Sequence, residues 1–508
     1  MWSLLPLLSL CAYAQEDEED VIEFSGVDVE ASFAAPRMMK MSRSFSATPG
    51  GAQDAKFFRD RVEDGEVPHP NVFTPEGLFS EHDLPLTSTQ TCKRLICTNT
   101  KAIEASLLVQ EDVRYLAQIG FDSGLTDATF TPPPLNLVAV IDQSGSMSGQ
   151  PLETVKESLR EVAKQLGPED QLSIVLYGSG TYIHLNPTRG DAKGIETSIE
   201  QIQSQGSTNM EAGMQLGFDI ARETRRSFDG TTRVMLFTDE RPNTGRTDAE
   251  GFMGIAEQGS KDGIGMTTVG VGVQFGAELA TKISSVRGGN LFFFPSVPSM
   301  KETFADKFDT MFVELAYDMK LQVQPSNGLK ITGVYGIPGD LLEWTKDGAI
   351  ELEVATLFLS RDAGAIYVSF GGDTDGLPSK KFEKGAAVGV VDLSYDPRDG
   401  GRVATTQDFG LQKGEVDDGL RRGHLLVDES TALKKATALH HENNDQEGAY
   451  QMVHALASRF RDLQDPDMSK EVKLVLALEK TLAHLSGHKG ESPDLQASID
   501  PITGLPRR

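Results

Sequence analysis

Residues 139–150 read AVIDQSGSMSGQ, with Asp142, Ser144 and Ser146 spaced two apart directly after an apolar run. One carboxylate and two hydroxyls offer oxygen donors only, and hard divalent cations prefer oxygen. Two further oxygen-bearing stretches follow in order. QGSTNMEAG places Thr208 where a helix should begin, and LFTDERPNTG places Asp239 just after a second apolar run. Competing chemistries fit less well. None of Ser144, Ser146 and Ser148 has glycine two residues before and after it, as a nucleophile elbow requires. No P-loop or GxGxxG segment follows a strand, so nucleotide binding has no signal.

These residues need elements that bring them together. LNLVAVI (135–141) is a continuous apolar run, as expected of a strand buried on both faces. In PLETVKESLREVAKQL, Leu152, Val155, Leu159, Val162 and Leu166 form one helical face, with Pro151 in the first turn. LSIVLYG and TYIHL read as a hairpin, NMEAGMQLGFDIARET as a helix, and TRVMLFT as a strand. Further helix–strand pairs run to a final helix with Phe304, Phe308, Phe312 and Leu315 as its stripe. The spacing predicts an α/β fold with a doubly wound, mostly parallel sheet, whose sites lie outside the carboxyl ends of its strands. From about residue 318 the period becomes two, predicting a flanking antiparallel β-sandwich to about 415, which strands from before the TPPP break could join. A helical region follows over 416–487.

D-x-S-x-S, S-T-N and F-T-D, in this order at successive strand ends, resemble the von Willebrand factor type A (vWA) domain with its metal-ion-dependent adhesion site. The resemblance covers residues 134–317. It implies that Ser144, Ser146 and Thr208 supply hydroxyl ligands, and that Asp142 and Asp239 bind directly or through water. The implied ion is Mg2+, with Ca2+ or Mn2+ as alternatives. Largely neutral ligands leave the ion's charge uncompensated, so an Asp or Glu of a partner protein can complete the octahedron. Relatives often have glycine after the final aspartate; here Glu240 stands there, a possible modulator of the metal site. The flanking segments loosely resemble bacterial exported vWA proteins.

Composition narrows the remaining classes. At 508 residues with a formal charge of −27, the chain is expected to be multidomain and poorly suited to nucleic acid or anionic lipid. Trp2–Leu10 is a short apolar core before Ala12-Tyr13-Ala14, which predicts a signal peptide over 1–14 and export to the periplasm, envelope or medium. Cys11 is an alternative lipid-attachment point. No later run is long enough to span a bilayer. Residues 15–54 read as a disordered acidic tether, 55–133 as a mixed N-terminal region, and 488–508 as a disordered tail. In an oxidising compartment Cys92 and Cys97 can form a small disulfide. His69 and His82 flank a Pro-rich loop and read as structural hydrogen-bonding residues, with pairing to Asp83 as the alternative, and His440-His441-Glu442 reads as a solvated turn. The expectation is a non-enzymatic, metal-dependent binding protein. A structural scaffold, or a hydrolase within 318–508, are the alternatives.

Overall fold

The computed structural model describes residues 44–49 and 55–488, except 71–72, 74, 89–90, 127–129, 208, 239–248, 272–285, 295–300, 302–303, 306–307, 338–340, 361–363, 373–386 and 399. In chain order, β1 (Ser44–Pro49), α1 (Lys56–Glu63), α2 (Pro75–Ser80), β2 (Cys97–Glu104) and β3 (Val113–Thr126) come first. An alternating segment follows: β4 (Leu135–Asp142), α3 (Gln150–Gln165), β5 (Gln171–Tyr177), β6 (Thr181–Arg189), α4 (Gly194–Glu200), α5 (Met210–Arg225), β7 (Thr231–Thr238), α6 (Ala249–Lys261), β8 (Gly265–Val271) and β9 (Gly289–Phe294). Then come β10 (Glu314–Pro325), β11 (Lys330–Tyr335), β12 (Leu342–Trp344), β13 (Ile350–Ser360), β14 (Ala365–Gly371), β15 (Ala387–Pro397) and β16 (Val403–Gly410). Helices α7 (Asp418–His441), α8 (Gln446–Phe460) and α9 (Ser469–Leu485) close the described chain.

The alternating segment forms a six-stranded sheet in the order β6-β5-β4-β7-β8-β9. Only β5 and β6 pair antiparallel; the other neighbours are parallel. All eight residues of β4 are buried, because both faces carry helices. Leu137, Ala139 and Ile141 join one core with Leu152, Val155, Leu159 and Val162 of α3. Val138 and Val140 face the other way, into a core with Met214, Phe218 and Ala221 of α5. The chain leaves β4 through α3 to β5 on one side and returns through α5 to β7 on the other. The carboxyl end of β4 is therefore the point where the strand order reverses, the usual place for a ligand crevice.

The other strands make one antiparallel sheet, β11-β14-β3-β1-β13-β10-β15-β16, with β2 added on β3 and β12 on β13. It curls back on itself. Leu411, just past β16, bridges Ala102 of β2, and Gln412 N donates to Ala102 O at 2.7 Å. Tyr395 Oη, on β15, also donates to Ile96 O at 3.0 Å. The two layers expected of a sandwich are thus parts of one continuous sheet. Its strands come from both sides of the parallel sheet in sequence, which is inserted between β3 and β10.

Three expectations need correction. Ser44–Pro49, placed in the tether by its sequence, pairs with both β13 and β3. Its residues, SFSATP, are mostly small and polar with one large apolar side chain, so no apolar alternation signals a strand; the partners supply the ladder. The helix expected to run to Leu315 also stops early. Phe308–Met311 is a single 3-10 turn and Leu315 already lies in β10, although Phe304, Phe308, Phe312 and Leu315 are all buried. Finally, His440 and His441 form the last turn of α7, so the solvated turn expected there, exposed at His441 and Glu442, begins inside the helix. There His440 Nδ1 lies 2.6 Å from Gln446 Oε1, and His441 Nε2 lies 2.8 Å from Val67 O.

The C-terminal helices share an apolar core with α1, α2 and one face of β3. Ionised groups sit inside it. Glu471 accepts from Arg59 Nη2 at 2.7 Å and lies 3.0 Å from His82 Nε2, which gives His82 a structural hydrogen bond. Glu429 is fully buried beside this cluster. Helix α7 approaches β14 closely enough that Tyr367 Oη donates to Gly419 O at 2.7 Å, with Gly423 one turn on lying against the Tyr367 ring.

Candidate functional site

Asp142 ends β4 and is fully buried. Its Oδ1 accepts from Ser144 N at 2.8 Å, which turns the chain out of the strand. Its Oδ2 faces the Tyr177 and Thr238 hydroxyls, each at 3.3 Å, from the ends of the neighbouring strands β5 and β7. Burial raises the Asp142 carboxyl above its ordinary range, and the hydrogen bonds from Ser144, Tyr177 and Thr238 oppose that shift.

The loop beyond is a 3-10 turn, Gly145–Met147, anchored by the buried Met147 side chain. Ser144 is buried while Ser146 is exposed, and their Oγ atoms lie 2.9 Å apart. Ligands on adjacent vertices of an octahedron with Mg–O bonds of about 2.1 Å are separated by about 3 Å. The two hydroxyls are hydrogen-bonded to each other, at a spacing that adjacent ligands of such an ion would also have. Among the described residues no cluster of three or more His, Cys, Asp or Glu side chains could hold a metal. The donor set around Asp142 is instead rich in hydroxyls, which suits Mg2+ or Ca2+ better than a thiolate-seeking ion.

A second loop braces the first. Gly145 N donates to Gly206 O at 3.1 Å and Gln205 N to Gln143 O at 2.5 Å. Gly206 has φ +83°, and any Cβ there would collide with Ser179. Glycine is thus required both by the backbone conformation and by the close approach. Ser148 Oγ meets Ser204 Oγ at 2.8 Å, away from Asp142, which makes it a loop tie. Asn209 caps α5 by accepting from Ala212 N at 3.1 Å, fixing the helix start next to the S-T-N stretch.

The structure brings Asp142, Ser144 and Ser146 together. Thr208, Asp239 and Glu240 lie outside the described residues, although their neighbours Ser207, Asn209 and Thr238 end on the same edge of the sheet. The Tyr177 and Thr238 hydroxyls were missed in the sequence. Each is the last residue of a buried strand flanking β4, and that position was the available signal. Distant from this edge, Cys92 and Cys97 are joined by a disulfide with Cα atoms 5.9 Å apart. No described helix is long and apolar enough to cross a membrane.

Residues 137–241 match the von Willebrand factor type A domain family. The chain is 28% identical over 197 residues to uncharacterized protein YfbK of Escherichia coli, covering 38% of this chain and 34% of YfbK. It is 25% identical over 250 residues to an inter-alpha-trypsin inhibitor heavy chain of Mesocricetus auratus, covering 46% of this chain and 24% of the relative. The alignments thus take in about a third or less of either relative. A solved von Willebrand factor type A protein from Catenulispora acidiphila aligns over 79% of this chain and 89% of its own, at TM-score 0.43 and 13% identity. The chain carries a von Willebrand factor type A domain, with Asp142, Ser144 and Ser146 inside the matched span.

Proposed function

We propose that the chain is an exported, non-enzymatic binding protein whose vWA domain holds Mg2+ or a related divalent ion and presents it to an Asp or Glu of a partner protein. Asp142, Ser144 and Ser146 would hold the ion, with Thr208 and Asp239 completing the set and Glu240 tuning its charge. The observation that carries the reading is the pair of serine hydroxyls 2.9 Å apart beside the buried Asp142, at the switch point of the sheet. The ion would supply a positive charge to which a carboxylate can bind. The protein's part is to hold neutral hydroxyls near it, so that this charge stays available. The Cys92–Cys97 disulfide supports an oxidising compartment.

The test is capture of partners from envelope and secreted fractions by the whole chain, with Mg2+, Ca2+ or EDTA. Capture should need the metal and be lost in Asp142→Ala while far-UV circular dichroism is unchanged. Capture that survives both EDTA and Asp142→Ala refutes the metal bridge. If chelation only lowers the melting temperature, the domain is a scaffold with a structural ion.

A further inference from the structure

At the opposite end of the parallel sheet from the candidate metal site lies a cavity of about 760 Å3. It sits where the last turns of α5 and α6 meet the start of β8 and the first residues of β10. Five cations line it, Arg222, Arg225, Arg226, Lys261 and Arg287, against only two acids, Asp262 and Glu314. That excess contrasts with the chain as a whole, whose formal charge is −27.

Both acids are already engaged. Asp262 Oδ2 accepts from Arg222 Nε at 2.6 Å. Glu314 Oε1 accepts from the fully buried Arg233 at 3.0 Å, and Glu314 Oε2 accepts from Tyr317 Oη at 2.5 Å. Arg287 stacks over the Tyr317 ring, 3.7 Å from its centroid, with Asp318 at 3.7 Å. Among the described residues, Arg225, Arg226 and Lys261 have no ion-pair partner within 4 Å. Arg225, itself exposed, lies over Gly263, the glycine with φ +70° that ends α6.

The plainest alternative is that these cations merely complement the carboxyl ends of α5 and α6. Each such end carries about half a negative charge. Two ends offset about one of the three unpaired cations, and Asp219 beside Arg222 offsets part of another. Roughly one to two positive charges remain, facing a space within the size range of small-ligand sites. Arginine forks match the tetrahedral oxygens of phosphate in a two-pronged way.

We propose that this cleft binds a phosphate dianion, either free or as the head of a small phosphorylated metabolite, between the ends of α5 and α6 and the start of β10. The site is independent of the metal site and stands if that reading fails. The whole chain is titrated by calorimetry with inorganic phosphate, a hexose monophosphate and a nucleoside monophosphate, all at 150 mM ionic strength held with NaCl and with EDTA present. The expected result is saturable binding of at least one probe, weakened tenfold or more in Arg225→Ala/Arg226→Ala. In Arg225→Lys/Arg226→Lys, where the charge remains but the fork is lost, the weakening should be intermediate. Binding by inorganic phosphate alone identifies a free-anion site; tighter binding of an ester identifies a metabolite site. No saturable binding at millimolar probe, or binding unchanged in the alanine pair, overturns the proposal.

Discussion

Replacing Glu429 by glutamine should stabilise the chain at neutral pH and remove part of its pH dependence. Glu429 is fully buried in α7 beside the Glu471 carboxylate, to which a protonated Glu429 can donate. Burial pushes its pKa well above the ordinary 4.5, and the negative charge of Glu471 pushes it further, against the opposing pull of Arg59. The folded chain therefore holds a proton that the unfolded chain releases. The folded pKa lies above the unfolded one, so the proton-linked stability is fully present below the unfolded value and is lost as pH rises toward the folded one. Within that window each pH unit costs about 1.4 kcal/mol. Between pH 5 and pH 6, wild type should lose stability relative to Glu429→Gln, which has no proton to lose, with about 1.4 kcal/mol as the upper limit. Urea denaturation of both proteins, at half-unit steps from pH 4.5 to 8, measures the difference directly. Equal pH slopes in the two proteins would refute the reasoning, since they would mean that Glu429 is ionised when folded. A variant less stable at pH 7 than at pH 5, relative to wild type, would refute it as well.

Two further outcomes follow from the same helical region. Arg59→Met leaves Glu471 buried without its arginine, with His82 at 3.0 Å and Glu429 beside it, and should cost about 3–5 kcal/mol. The double variant Arg59→Met/Glu471→Leu should recover much of that loss in the same urea assay. Gly423→Ala places a methyl against the Tyr367 ring where α7 crosses β14, and should cost about 1–3 kcal/mol by overpacking. A melting temperature within a degree of wild type would show that α7 shifts freely on the sheet.

The sequence was most informative where structure is local. The unbroken apolar run of β4 and the three-and-four spacing of α3 each report burial through neighbours a few residues away. The D-x-S-x-S stretch is legible for the same reason, since the Asp142 carboxylate positions Ser144 by accepting from its backbone N–H. Contacts between distant parts of the chain left no such trace. Ser44–Pro49 becomes a strand only because β13 and β3 lie beside it, and Glu471 meets Arg59 from 412 residues away. The Phe304–Leu315 stripe misled because large apolar residues at helical spacing can equally fill a core from a short turn and a strand. The basic cleft is assembled from the ends of two helices, the Arg287 loop and the start of β10, which have no shared pattern in sequence.

The place of the parallel sheet within the chain also sets an order of events during synthesis. Ser46 of β1 is opposite Ser360 of β13, so about 310 residues must be made before that pair can form. At about 5–20 residues per second, the interval is roughly 15–60 s. The helices and parallel strands of residues 135–294 emerge within it and can close around their own cores. Meanwhile β1, β2 and β3 wait with open ladder edges for partners not yet translated. The segment that carries the candidate metal site is thus complete before the frame that will hold it.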